Sequence, residues 1–88
     1  MTQIDLVLTN TAGLHARPAA RFIQKASSYT SKVTIRTGEK TADAKSILSL
    51  MGLGLGQGTR FTLMADGADE VECIAALKAM VENNFGEG

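Results

Sequence analysis

The sequence predicts an α+β fold, an open-faced β-sandwich in which one antiparallel sheet carries its helices on a single face. Three observations predict it. Apolar residues alternate along short segments, as in strands with one buried face. Elsewhere they recur at three- and four-residue spacing, as in helices with one buried stripe. The segments interleave in the order β-α-β-β-α-β-α, which suits a sheet with its helices gathered on one side. At 88 residues the chain, 1–88, is expected to be one domain with one core.

The first strand rests on Ile4, Leu6 and Leu8, which alternate with Asp5, Val7 and Thr9. Asn10 to Gly13 reads as a turn. A helix follows from about Ala16 to Ser27 or Ser28, with Ala19, Phe22, Ile23 and Ala26 on one stripe. Pro18 falls in its first turn, where a missing N–H is tolerated. Arg17, Arg21 and Lys25 form a basic row on this helix, either a solvated face or one that meets an acidic partner.

Lys32 to Thr37 is the second strand, with Val33 and Ile35 on one face. Gly38 turns the chain, and Lys40 to Ala44 returns as the other arm of a hairpin. Small and polar residues in that arm suit a sheet edge. Ser46 reads as the N-cap of a short second helix carrying Ile47, Leu50 and Met51, with Leu48 off the stripe. Glycines at 52, 54, 56 and 58 end it. Arg60 to Ala65 is the last strand, with Phe61, Leu63 and Ala65 together, closed by Asp66-Gly67. The final helix begins near Asp69, with Asp69, Glu70 and Glu72 in a first turn whose dipole favours acids. It buries Ile74, Leu77 and Val81, flanked by Cys73 and Met80. Asn83 to Gly88 are expected to fray.

Composition excludes several function classes. Nine basic and nine acidic residues cancel, so nothing draws the chain generally to nucleic acid or anionic lipid. One cysteine forbids an internal disulfide, and with a single histidine there is no zinc cluster. Cys73 reads as a small core residue. The start lacks the basic and apolar regions of a signal peptide, and no apolar run approaches a membrane span. The expectation is a reduced, cytoplasmic monomer without metal or cofactor. The glycine-rich stretch 52–58 is neither a Walker A loop, since Thr59 and Arg60 follow Gly58, nor a dinucleotide fingerprint.

One stretch carries chemistry. Ala12-Gly13-Leu14-His15-Ala16-Arg17-Pro18-Ala19-Ala20 holds the only histidine and the only proline. It places His15 just before a helix start. The first N–H groups of a helix are unpaired and partly positive, so they suit an anion, and Arg17 adds a full charge. A lone histidine is more often an ordinary surface or core residue. A titratable nucleophile at an anion site, however, suggests a histidine that carries phosphate. As an enzyme in its own right the chain is poorly equipped. No carboxylate pairs with His15 in sequence, and the candidate nucleophile is Ser46, which has a cationic neighbour in Lys45.

Gly13-Leu14-His15-Ala16-Arg17-Pro18-Ala19-Ala20 and Ala44-Lys45-Ser46-Ile47 resemble the HPr family, the histidine phosphocarriers of the bacterial phosphoenolpyruvate:sugar phosphotransferase system. The likeness runs from about residue 3 to about residue 83. Many relatives have a polar side chain where this chain has Ala12. The resemblance implies strand order 1-4-2-3. It implies that enzyme I phosphorylates His15 on Nδ1 and that EIIA domains of sugar transporters receive the group. Arg17 would stabilise charge, and Ala20, Arg21, Gln24, Ile47, Leu48 and Met51 would dock partners. Ser46, otherwise only a cap, becomes a site for an HPr kinase/phosphorylase, and the modified protein a ligand of a catabolite-control transcription regulator. The alternatives are a regulatory HPr-like binding module, whose members replace the histidine, and a nitrogen-branch phosphocarrier.

Overall fold

The computed structural model describes residues 1–9, 13 and 16–86. Its elements are β1 (Thr2–Val7), α1 (Ala16–Ser27), β2 (Lys32–Thr37), β3 (Lys40–Asp43), α2 (Ile47–Gly52), β4 (Arg60–Asp66) and α3 (Glu70–Glu82), followed by a 3-10 segment, Asn84–Gly86. The strands form one antiparallel sheet in the order β1-β4-β2-β3. This is the α+β open-faced sandwich, with the strand order that the resemblance implies.

The register explains the buried face. Leu6 lies opposite Phe61, Leu63 opposite both Ile4 and Ile35, Ala65 opposite Val33, and Ile35 opposite Ala42. Opposed residues share a face, so period-two alternation in four strands becomes one apolar surface. Leu6, Val33, Ile35, Ala42, Phe61, Leu63 and Ala65 are all buried there. The other face shows Asp5 and Arg36 to solvent, with the Thr62 hydroxyl donating to Asp5 Oδ1 at 2.7 Å.

Helices fill the apolar face. α1 contributes Pro18, Ala19, Phe22 and Ala26, α2 contributes Leu50, and α3 contributes Cys73, Ile74, Leu77 and Val81. Each large side chain so buried is worth about 1.5–3 kcal/mol. Burial also pushes the Cys73 thiol up, with the Asp69 charge acting the same way, so Cys73 is a core residue.

Of the apolar spacing in α2, Ile47 is 40% exposed, as a docking residue would be. The six residues of α2 make fewer than two turns, and Leu50 alone is buried. Some expectations are corrected. Asp69 precedes α3 as its N-cap but makes no side-chain bond to that helix. Its carboxylate instead accepts from the Thr30 and Ser31 amides at 2.8 and 3.0 Å and from the Ser31 hydroxyl at 2.5 Å. Glu70 supplies the helix-start contact, accepting from the Gly67 amide at 3.2 Å.

The expected fraying also fails at Asn84 and Phe85. Phe85 is buried and meets Phe22 edge-on, with ring centroids 6.3 Å apart. The cost of ordering those residues is offset by apolar burial that their position after the last helix does not reveal.

Candidate functional site: the start of the first helix and its neighbour

α1 opens at Ala16, the residue after His15 in the chain. His15 itself lies outside the described residues, as do Ala12 and most of the expected turn at 10–13. Gly13 is described. It is buried with φ +69, and a Cβ there would lie 2.6 Å from the Leu55 carbonyl oxygen. Only glycine fits both the backbone conformation and the space.

The first turn of α1 divides by burial. Pro18 and Ala19 go into the core, while Ala16, Arg17 and Ala20 are exposed. The anchor residues therefore fix the helix start and leave Ala16 and Arg17 exposed at its amide end. That turn contains no acidic residue. The helix dipole and the Arg17 charge have the same sign at this point.

Further along α1, Arg21, Gln24 and Lys25 are exposed. With Ser28 and Met80 of α3 they line an open groove of about 370 Å³. Arg21 has an internal partner, since its Nη1 donates to the Phe85 carbonyl oxygen at 2.6 Å. The basic row is thus not uniform: Arg21 is tied to the chain's own backbone.

α1 packs against α2, which sets the second group of predicted residues on a neighbouring helix. Ser46 is the N-cap of α2, with extended φ −118 and ψ 118. Its hydroxyl accepts from the Ser49 amide at 3.4 Å, a long bond, and its carbonyl accepts from the Leu50 amide at 3.0 Å. Leu48 is 83% exposed, and Met51 and Ile47 are about half as exposed. Three large apolar side chains exposed on so short a helix are the chemistry of a contact surface.

Two connections at this site escaped the sequence reading. The Lys45 ammonium donates to the Tyr29 carbonyl oxygen at 2.9 Å, joining the start of α2 to the turn after α1. Asn84 and Phe85 close the other side of α1. Their one sequence signal is the order of an asparagine and then an apolar residue just beyond a helix end, where left-handed backbone and a returning apolar contact are common.

The sequence model of a family described as the PTS HPr component phosphorylation site matches residues 2–83. The chain belongs to the HPr family. This HPr-family chain is 43% identical over 88 residues to phosphocarrier protein HPr of Cupriavidus necator, covering 100% of this chain and 99% of that one. It is 41% identical over 78 residues to phosphocarrier protein HPr of Haemophilus influenzae, covering 89% of each. Its structure is similar to the crystal structure of HPr-C-His from Thermoanaerobacter tengcongensis, with a TM-score of 0.97, 43% identity, and coverage of 100% and 99%.

HPr proteins are phosphocarriers of the phosphotransferase system, and the family description names a phosphorylation site within the matched residues. Among the described residues no helix is long and apolar enough to cross a membrane, and no group of three metal-ligating side chains occurs.

Proposed function

We propose that this protein is a phosphocarrier that accepts a phosphoryl group on Nδ1 of His15 from enzyme I and delivers it to EIIA domains of sugar transporters. The observation that carries the proposal is the start of α1, with Ala16 and Arg17 exposed and no acid in its first turn, directly after the only histidine. In the transfer, the imidazole lone pair attacks phosphorus, a P–N bond forms, and the donor's bond to phosphorus breaks. Charge on the passing phosphoryl group is offset by Arg17 and the first amides of α1. A phosphoramidate on imidazole is reactive enough to be handed on. The partner completes each transfer site, so the carrier need only hold geometry and present a face.

That face comprises Ala20, Arg21 and Gln24 of α1 with Ile47, Leu48 and Met51 of α2. Apolar groups on α2 supply contact area, and cations on α1 steer acidic partners. Ser46 is a regulatory phosphorylation site for a kinase/phosphorylase, and the modified protein is read by a transcription regulator of carbon use. The carrier works as a single-domain monomer in the cytoplasm, with no cofactor.

Incubation with enzyme I and phosphoenolpyruvate tests the core of this. The intact protein should gain one phosphoryl group that acid removes, and His15→Ala should gain none. Equal acid-labile labelling of His15→Ala would overturn the assignment.

A further inference from the structure

Arg21 belongs to the proposed docking face, yet its guanidinium is already held. Nη1 donates to the Phe85 carbonyl oxygen at 2.6 Å, and among the described residues the side chain makes no other hydrogen bond or ion pair. A guanidinium has five N–H donors in a planar fork. One is used here, and the residue is exposed.

The carbonyl is offered by unusual backbone. Asn84 and Phe85 have φ of +51 and +57, a left-handed region that L-residues adopt rarely and seldom twice in succession. Such a pair persists only where its surroundings hold it. Three contacts do so. The Phe85 ring is buried edge-on against Phe22, the residue after Arg21. Asn84 Oδ1 accepts from the Thr9 hydroxyl at 2.7 Å. Arg21 itself closes the third. The hook lies beyond the matched residues 2–83.

We infer that Asn84–Phe85 is a positioning device for docking, which presets the Arg21 guanidinium to meet a carboxylate on the phosphoryl donor. The inference rests on the phosphocarrier reading above and identifies what prepares its docking face. A loose arginine loses rotamer freedom when a partner immobilises it, whereas a held one has lost most of it already. The difference for one such side chain corresponds to about two- to tenfold in affinity. It belongs to docking and not to the chemical step, so it should appear in KM and leave kcat alone.

The test is a double-mutant cycle in phosphorylation by enzyme I and phosphoenolpyruvate. It compares the full chain, a chain ended after Asn83, Arg21→Ala, and the two changes combined. Ending the chain at Asn83 should raise KM about two- to tenfold with kcat essentially unchanged, and should add nothing once Arg21 is alanine. Phe85→Leu keeps the apolar anchor and the backbone carbonyl, and should keep the full chain's KM. Phe85→Gly goes through the same cycle, so that the result does not depend on how the shortened chain folds. An unchanged KM, or a rise equal with and without Arg21, overturns the inference and makes the hook purely structural. In either case the full chain still takes up phosphate. A full chain that takes up none instead overturns the phosphocarrier reading.

Discussion

Asp69 grips Ser31 from across the fold. One carboxylate oxygen accepts both the Ser31 amide at 3.0 Å and its hydroxyl at 2.5 Å, while the other takes the Thr30 amide at 2.8 Å. Ser31 is wholly buried, so its amide and hydroxyl have little access to water. Gly67 presses on the same residue, and a Cβ there would lie 2.7 Å from Ser31 Cα. The turn between α1 and β2 is thereby locked to the start of α3.

This grip predicts acid sensitivity. The Ser31 hydroxyl, followed by the Thr30 amide, holds the Asp69 carboxyl at about 2, down from 3.8. A depressed folded-state value means that the contribution to stability is complete above about 3.8 and is lost as pH falls toward about 2. Glu70 is lowered too, chiefly by the Thr2 hydroxyl, and acts in the same direction. Asp69→Asn should lower Tm at neutral pH by several degrees. It should also flatten the fall in Tm between pH 4 and pH 2. An unaltered acid limb in thermal unfolding would show that the titrating group lies elsewhere.

The reach of sequence reading divides along physical lines. Alternation in β1, β2 and β4 reports burial directly, because side-chain direction follows from position in the strand. Phe61, Leu63 and Ala65 therefore lie where their spacing puts them. The start of α1 was legible for the same reason, with Pro18 and the apolar stripe fixing it locally. Asp69 and Phe85 were not. Their partners are 38 and 64 residues away in sequence, and nothing local distinguishes an acid that caps its helix from one that holds a distant turn. Arg21 looked like one more member of a basic row because a row says nothing about a carbonyl brought up from the far end of the chain.

Gly13 offers a test of the segment before α1. Alanine would have to adopt φ +69, which costs an L-residue roughly 1–2 kcal/mol, and it would also meet the Leu55 carbonyl at 2.6 Å. Gly13→Ala should therefore lower stability by about 1–3 kcal/mol and slow phosphoryl uptake by disturbing the approach to His15. A folded variant with native Tm and native uptake would show that the close approach relaxes freely.

Arg17→Ala separates chemistry from docking. Losing one charge-assisted contact to the phosphoryl group should slow transfer roughly tenfold to a hundredfold. The loss should persist at saturating enzyme I. Lys25→Ala, farther along α1, should instead reduce the association rate, most strongly at low salt, where exposed charges are least screened. Unchanged transfer by the Arg17 variant at saturation would reduce Arg17 to a steering charge.

Ser46 is the place where structure and proposed regulation can be pulled apart. Its hydroxyl is already an acceptor for the Ser49 amide, and an aspartate at an N-cap performs the same task. Negative charge at a helix start is stabilising by roughly 0.3–1 kcal/mol. Asp43 lies close by, but its Oδ1 is occupied by the Lys45 amide at 2.9 Å, and the Lys45 ammonium is held at Tyr29. The local frame can therefore accept a further charge without coming apart. Ser46→Asp should keep its Tm within a few degrees. The consequence should fall on recognition, because Ser46 directly precedes Ile47 and Leu48 of the proposed docking face, where an acidic partner would be repelled. We expect a higher KM with enzyme I at little change in kcat, and a smaller effect as salt rises. A phosphate, with about −1.5 to −2 charges, should act in the same sense and more strongly. Loss of folding in Ser46→Asp would make Ser46 a structural cap alone, and native transfer kinetics in a stable variant would remove repulsion as the mechanism of inhibition.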